Sequence, residues 1–144
     1  MLRKEEKALF AKSPRAASVL NSDPAMPSAA FMKLTFQLPC KHMALLIQPR
    51  TGHILLNKHL ARIGKTASPA CPTCGRHSET VHHFLFRCKP YEVQRKQLEI
   101  TLKRHGKSTK TLLARPKALP VLFKYVNDMN WFQRTWGSME LEEE

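Results

Sequence analysis

Apolar residues recur at intervals of three and four along most of this chain, and nowhere do they alternate with polar ones long enough to make a sheet. Phe31, Leu34 and Leu38 share one face of a helix that begins near Ser28. Pro39 breaks it and opens another, which runs through Met43, Leu46 and Ile47 to about Gln48, where Pro49 and Gly52 end it. A third helix, over 54–64, sets Leu56, Leu60 and Ile63 on one stripe and Lys58, Arg62 and Lys65 on the opposite one, with Gly64 as its stop. Ser78 is the expected N-cap of a short helix over 79–87 that carries Val81, Phe84 and Leu85 inward, with Glu79 serving its start. A longer helix from Pro90 to His105 places Tyr91, Leu98 and Leu102 on one side, and Gly106 caps it. Two further short helices, 111–114 and 118–127, are punctuated by Pro116 and Pro120, and at least one of Trp131, Phe132 and Trp136 is expected to dock on the core. The predicted fold class is therefore mostly α, a small helical domain.

Four residues within it carry chemistry: Cys71, Cys74, His83 and Cys88. Three thiolates and one imidazole are a tetrahedral zinc set, and two residues between Cys71 and Cys74 make a turn tight enough to aim both sulfurs at one point. Pro72 stiffens that turn, and Gly75 lets backbone amides close on the sulfurs. His82 is a rival fourth ligand; the spacing of four residues before Cys88 favours His83. Five residues at about 100° each would swing Cys88 to another face of an unbroken helix, so the helix must end near Arg87 and Cys88 must turn back. Pro90 supports that ending. Disulfides are the rival use of these cysteines. The longest apolar run, Met43 to Ile47, is too short for a secretory core or a membrane span, so a nuclear or cytoplasmic, reducing setting is expected, where such cysteines bind metal. A thioredoxin-like site would need a β-α-β pattern, which is missing from the sequence. Four good ligands leave no open position for water, so the expected zinc is structural and not catalytic. Cys40 lies outside the cluster as a buried or free thiol.

The formal charge is +13, and its placement says more than its size. Between Pro24 and Ser78 there is no Asp or Glu, while Lys33, Lys41, Arg50, Lys58, Arg62, Lys65 and Arg76 all fall there. A second acid-free stretch, Ile100 to Asn127, holds Lys103, Arg104, Lys107 and others. Acids gather at the ends. Glu92/Lys96 and Glu99/Lys103 are spaced as helical ion pairs, but Lys58, Arg62 and Lys65 have no acidic partner in sequence. Such a distribution favours a polyanion, RNA or DNA, held through phosphate contacts; Arg50, Lys58, Arg62, Lys65 and Arg76 are the candidate nucleic-acid-binding residues. The chain divides into an N-terminal arm over 1–27, a helical zinc-binding domain over 28–137 with its zinc motif at 71–88, and an acidic tail over 138–144.

The run from Arg50-Thr-Gly-His through Asn57-Lys-His-Leu-Ala-Arg-Ile-Gly64, then Ser68-Pro-Ala-Cys71-Pro-Thr-Cys74-Gly75, then Glu79-Thr-Val-His-His83-Phe-Leu-Phe-Arg-Cys88, resembles the C-terminal region of fungal LINE-type (non-LTR) retrotransposon polyproteins. Weaker likeness in the flanks extends it from about Ala8 to Gly137. The resemblance implies the same four zinc ligands, a CCHC zinc knuckle, and nucleic-acid binding during retrotransposition by a module without catalysis of its own. It also implies a fragment lacking the reverse transcriptase and ribonuclease H domains, with other domains of a retroelement polyprotein as possible partners. The sequence departs from the family at Pro49, at Cys40 after Leu38-Pro39, and at Met129-Asn130-Trp131-Phe132. An independent enzyme is not expected. Paired carboxylates for two metals are missing, and Tyr125-Val-Asn127-Asp128 has Asn where such a motif needs its first Asp. The competing expectation is a zinc-stabilised protein–protein interaction module, which an exposed apolar patch beside the zinc would favour over a continuous basic groove.

Overall fold

The computed structural model describes residues 4–14, 16–22, 29–130, 132–133 and 137–138, and among them the chain is helical, with a single isolated β-bridge between Ala70 and Ser78. Eight α-helices follow one another: α1 (Lys4–Lys12), α2 (Ala16–Ser22), α3 (Ala29–Thr35), α4 (Cys40–Thr51), α5 (Asn57–Arg62), α6 (Glu92–Leu102), α7 (Thr109–Leu112) and α8 (Leu119–Asp128). A π-helical turn, His83–Arg87, separates α5 from α6, and short 3₁₀ turns flank α6 and precede α8. None of these helices is long and apolar enough to cross a membrane.

The core lies between α4, α6 and α8. Leu46, Leu98, Leu112, Leu122, Phe123 and Val126 are each at most 2% exposed, and burying a side chain of this size stabilises by roughly 1.5–3 kcal/mol. α8 brings most, because five of its ten residues are buried and Pro120 sits in its first turn, where a missing N–H costs nothing. Phe84 reaches in from the π turn to meet Phe132, ring centroids 5.8 Å apart, so the expected aromatic docking falls to Phe132. Trp131 and Trp136 lie outside the described residues, as do 139–144 of the expected acidic tail.

Several boundaries differ from expectation for physical reasons. The arm expected as loose over 1–27 holds two helices among its described residues, Lys4–Lys12 and Ala16–Ser22; α2 packs against α4, and Ala16 is buried. Pro49 does not end α4. It is buried within the helix, which continues to Thr51 and stops at Gly52, whose φ of 73° is the left-handed conformation glycine adopts without cost. α5 is shorter than the predicted stripe. Leu56 is buried, but Ile63 follows the last helical turn and is 50% exposed. α6 ends at Leu102, one turn early, because Lys103 takes φ 51° and ψ −129°. The expected Glu99–Lys103 ion pair therefore does not form, whereas Glu92 and Lys96 meet at 3.6 Å.

Gly106 does not cap α6 either. It is buried, and a Cβ placed on it would stand 2.8 Å from Leu98 Cδ2 and 3.3 Å from both Leu102 Cβ and the Leu98 carbonyl oxygen. Its role is the close approach of the 103–107 turn to α6. Gly106→Ala is expected to destabilise by about 1–3 kcal/mol, since the crowding includes backbone that cannot yield; urea unfolding at unchanged m-value checks this.

Candidate metal centre

Residues 69–79 fold into a small hairpin. The Glu79 N–H donates to the Pro69 carbonyl at 2.8 Å and the Cys71 N–H to the His77 carbonyl at 2.7 Å. At its tip the Gly75 N–H donates to the Cys71 carbonyl at 2.7 Å, and Gly75 turns the chain with φ 67°. This geometry aims the backbone N–H groups of Arg76 and His77 at the Cys74 sulfur and holds its pKa below the ordinary thiol range. The cysteine pair and its glycine thus act as the spacing predicted.

The second ligand pair comes from the helical turn beyond the hairpin. Ser78 does not cap it, because Ser78 is held in the bridge to Ala70. Thr80 caps instead, its Oγ1 accepting the His83 N–H at 3.0 Å, so the helix begins two residues later than expected. The turn then widens to π geometry. The Cys88 N–H donates to the His83 carbonyl at 2.9 Å, a bond spanning five residues instead of four. That widening resolves the conflict posed by the spacing of His83 and Cys88: a five-residue turn brings Cys88 back beneath His83, where an α-helix would have carried it away.

Widening exposes carbonyls at the end of the turn, and two buried side chains satisfy them. Arg95 of α6 donates from Nε to the Leu85 carbonyl at 3.3 Å and from Nη2 to the Cys88 carbonyl. The Tyr125 hydroxyl of α8 donates to the Phe84 carbonyl at 3.0 Å. Burial pushes the Tyr125 phenol up to about 12, so it remains a donor throughout the physiological range. Neither role is legible in the sequence, since the partners are backbone atoms that no pattern advertises.

The ligand atoms of Cys71, Cys74, His83 and Cys88 all lie within 4.8 Å of one another. Cys71 Sγ and Cys88 Sγ are 3.8 Å apart, and Cys74 Sγ and His83 Nε2 are 3.4 Å apart. Four ligands at about 2.0–2.3 Å from a tetrahedral ion stand about 3.3–3.8 Å from each other, so both measured pairs already have the spacing a metal requires. All four cysteines of the chain are free thiols, which sets aside the disulfide alternative. His82 is exposed on the outer side of the turn against Phe86, and the structure selects His83. The donors are chemically apt. Burial, reinforced by His77 and Arg95, holds His83 below its ordinary imidazole value, which favours the neutral form that binds metal. Burial and then the neighbouring Cys71 raise the Cys88 thiol to about 12. Thiolates brought this close repel one another, and a cation bound among them relieves that repulsion.

The hairpin is welded to α5. Glu79, 1% exposed, does not serve its own helix; its Oε2 accepts the Asn57 N–H at 2.6 Å and so caps α5. Asn57 in return donates from Nδ2 to the Ala70 carbonyl at 2.8 Å. Burial raises the Glu79 pKa, and the Asn57 N–H opposes that shift.

α5 presents Lys58 and Arg62 to solvent, with Lys65 just beyond it and Arg76 on the hairpin, all four exposed and without an acidic partner among the described residues. Lys58, Arg62 and His82 border a cleft of about 390 Å³ floored by Ile54, Leu56 and Val81. Arg50 is a correction. It is 2% exposed, lies over the Phe31 ring at 4.4 Å and donates to the Leu46 and Leu113 carbonyls, so it cannot reach phosphate. Comparison with protein-family models, curated proteins and solved structures finds no match to this chain.

Proposed function

We propose that the protein is a zinc-stabilised nucleic-acid-binding module, related to the C-terminal region of LINE-type retrotransposon polyproteins and without catalysis of its own. Zinc is the metal that a buried set of three thiolates and one imidazole selects, and a full tetrahedral shell suits a structural role. The observation that carries the binding role is the weld between the hairpin and α5. Through Glu79 and Asn57 the metal turn fixes the short helix bearing Lys58 and Arg62, so metal binding sets the direction in which those cations point. Exposed lysine and arginine without an acidic partner are suited to a phosphate backbone, where they displace counterions and give salt-sensitive, largely sequence-blind affinity.

The test replaces Lys58, Arg62 and Lys65 together with alanine in the metal-loaded protein. Each lost phosphate contact is expected to flatten the log–log salt dependence by about 0.7–0.9, roughly two to three units for the three, with an affinity loss of about tenfold or more at low salt. Fluorescence anisotropy on single-stranded and duplex probes measures both. Binding that is unchanged in strength and slope would exclude this surface. Retention on an acidic protein with no retention on RNA or DNA would favour the protein-interaction role instead.

A further inference from the structure

The early end of α6 creates a second cationic surface away from the metal turn. Lys103 occupies a backbone region, φ 51° with ψ −129°, that side chains rarely adopt and glycine favours. Its N–H still bonds the Glu99 carbonyl, but its side chain makes no ion pair with the Glu99 carboxylate. The 3₁₀ turn that follows is pinned to α6 by the close approach of Gly106 to Leu98. The result is a shallow trough along the end of α6, lined by Lys96, Glu99, Ile100, Lys103, Arg104 and Lys107; Lys103, Arg104 and Lys107 are all exposed, Ile100 is 71% exposed, and Glu99 is the one carboxylate among the lining residues. None of the three cations has an acidic partner among the described residues. The local potential is also felt by His105, whose pKa is lowered first by desolvation and then by Arg115 and Arg104.

We infer that this trough is a second phosphate-backbone site, in which Lys103, Arg104 and Lys107 hold a nucleic-acid strand independently of the α5 surface. The inference rests on the nucleic-acid reading above and extends it to a two-surface binder. Three observations converge on it. A strained backbone persists only where its surroundings enforce it, and such strain collects at functional positions. Here the strained lysine makes no ion pair with Glu99, although that carboxylate lines the same trough. The pinned turn then clusters that lysine with two more cations, so the trough carries more positive than negative charge and attracts a polyanion.

The experiment uses the full, metal-loaded chain and a labelled 30-nucleotide oligothymidine probe in a salt series. Lys103→Glu/Arg104→Glu/Lys107→Glu is expected to weaken binding at least tenfold and to flatten the salt slope by about two units, with zinc content and circular dichroism unchanged. Lys103→Gly guards against misfolding, because glycine suits that backbone conformation; it is expected to leave the melting temperature no lower while reducing the slope by about 0.7. If both variants bind like the parent while the Lys58/Arg62/Lys65 variant is weakened, the second site is overturned and the first stands. If all three bind like the parent, the nucleic-acid reading falls and takes this inference with it. If the parent ignores the probe but binds phosphatidylserine vesicles through these residues, the ligand is a lipid surface and the proposal is wrong.

Discussion

Removing the metal, by chelation or by Cys88→Ser, is expected to unfold the region from the hairpin to α6 and to abolish cooperative thermal unfolding. A structural zinc site contributes on the order of 10–16 kcal/mol, as much as the whole net stability of an ordinary domain, about 5–15 kcal/mol. The loss would not stay local. Cys88 ends the π turn, Arg95 and Tyr125 are aimed at that turn's carbonyls, and Phe84 and Leu85 project from it into the core. If the turn relaxes, two buried donors on α6 and α8 lose their acceptors, at about 1–3 kcal/mol each, and the Glu79–Asn57 weld to α5 opens. Metal content by mass spectrometry and helicity by circular dichroism should fall together. Cys40→Ser is the matched control, because Cys40 is exposed and outside the cluster, and it should change neither. Acid should act in the same direction as chelator, since each thiolate must be deprotonated to bind. An apo protein that kept its helicity and melting temperature would show the four side chains to be packing groups and not ligands.

The ligand set was readable in the sequence because its spacing is local: two residues between Cys71 and Cys74, with Gly75 after them, nearly dictate the knuckle. The amphipathic helices were readable for the same reason, with Phe31, Leu46 and Leu98 all buried as their periodicity requires. What the sequence obscured depends on partners distant along the chain. Glu79 has the look of a helix-start residue, but its partner is Asn57, in an element already completed. The π turn has no periodicity signature; its wider register is a compromise that the placement of His83 and Cys88 imposes on a helical stretch. Lys103 was read as the second half of an ion pair because i,i+4 spacing presumes that the helix continues, and nothing in the local composition reports a positive φ at a lysine.

Arg50 separates residue type from environment most sharply, and its replacement is the second large effect expected. Arginine in an acid-free stretch was read as a phosphate contact, yet here the guanidinium is buried at the turn of α4 that contains Pro49. Pro49 has no N–H to return to the helix, and Arg50 ties this part of α4 down with its side chain. It donates to the Leu46 carbonyl in its own helix and to the Leu113 carbonyl, at 2.6 Å, just after α7. The Phe31 ring from α3 covers the charge. One side chain thus fastens three elements, so Arg50→Ala is expected to cost about 3–5 kcal/mol through a cavity and carbonyls left without donors. Arg50→Met should cost less, because it keeps most of the volume and removes a charge that was expensive to bury. Arg50→Lys should fall nearer to alanine than a conserved charge suggests, since a single ammonium cannot span both carbonyls and also lie flat on the ring. Urea unfolding gives the three stabilities. Nucleic-acid binding by the folded Met variant gives the complementary test: its salt slope should match the parent. A slope lower by one phosphate contact, with stability untouched, would return Arg50 to the surface and to the binding face.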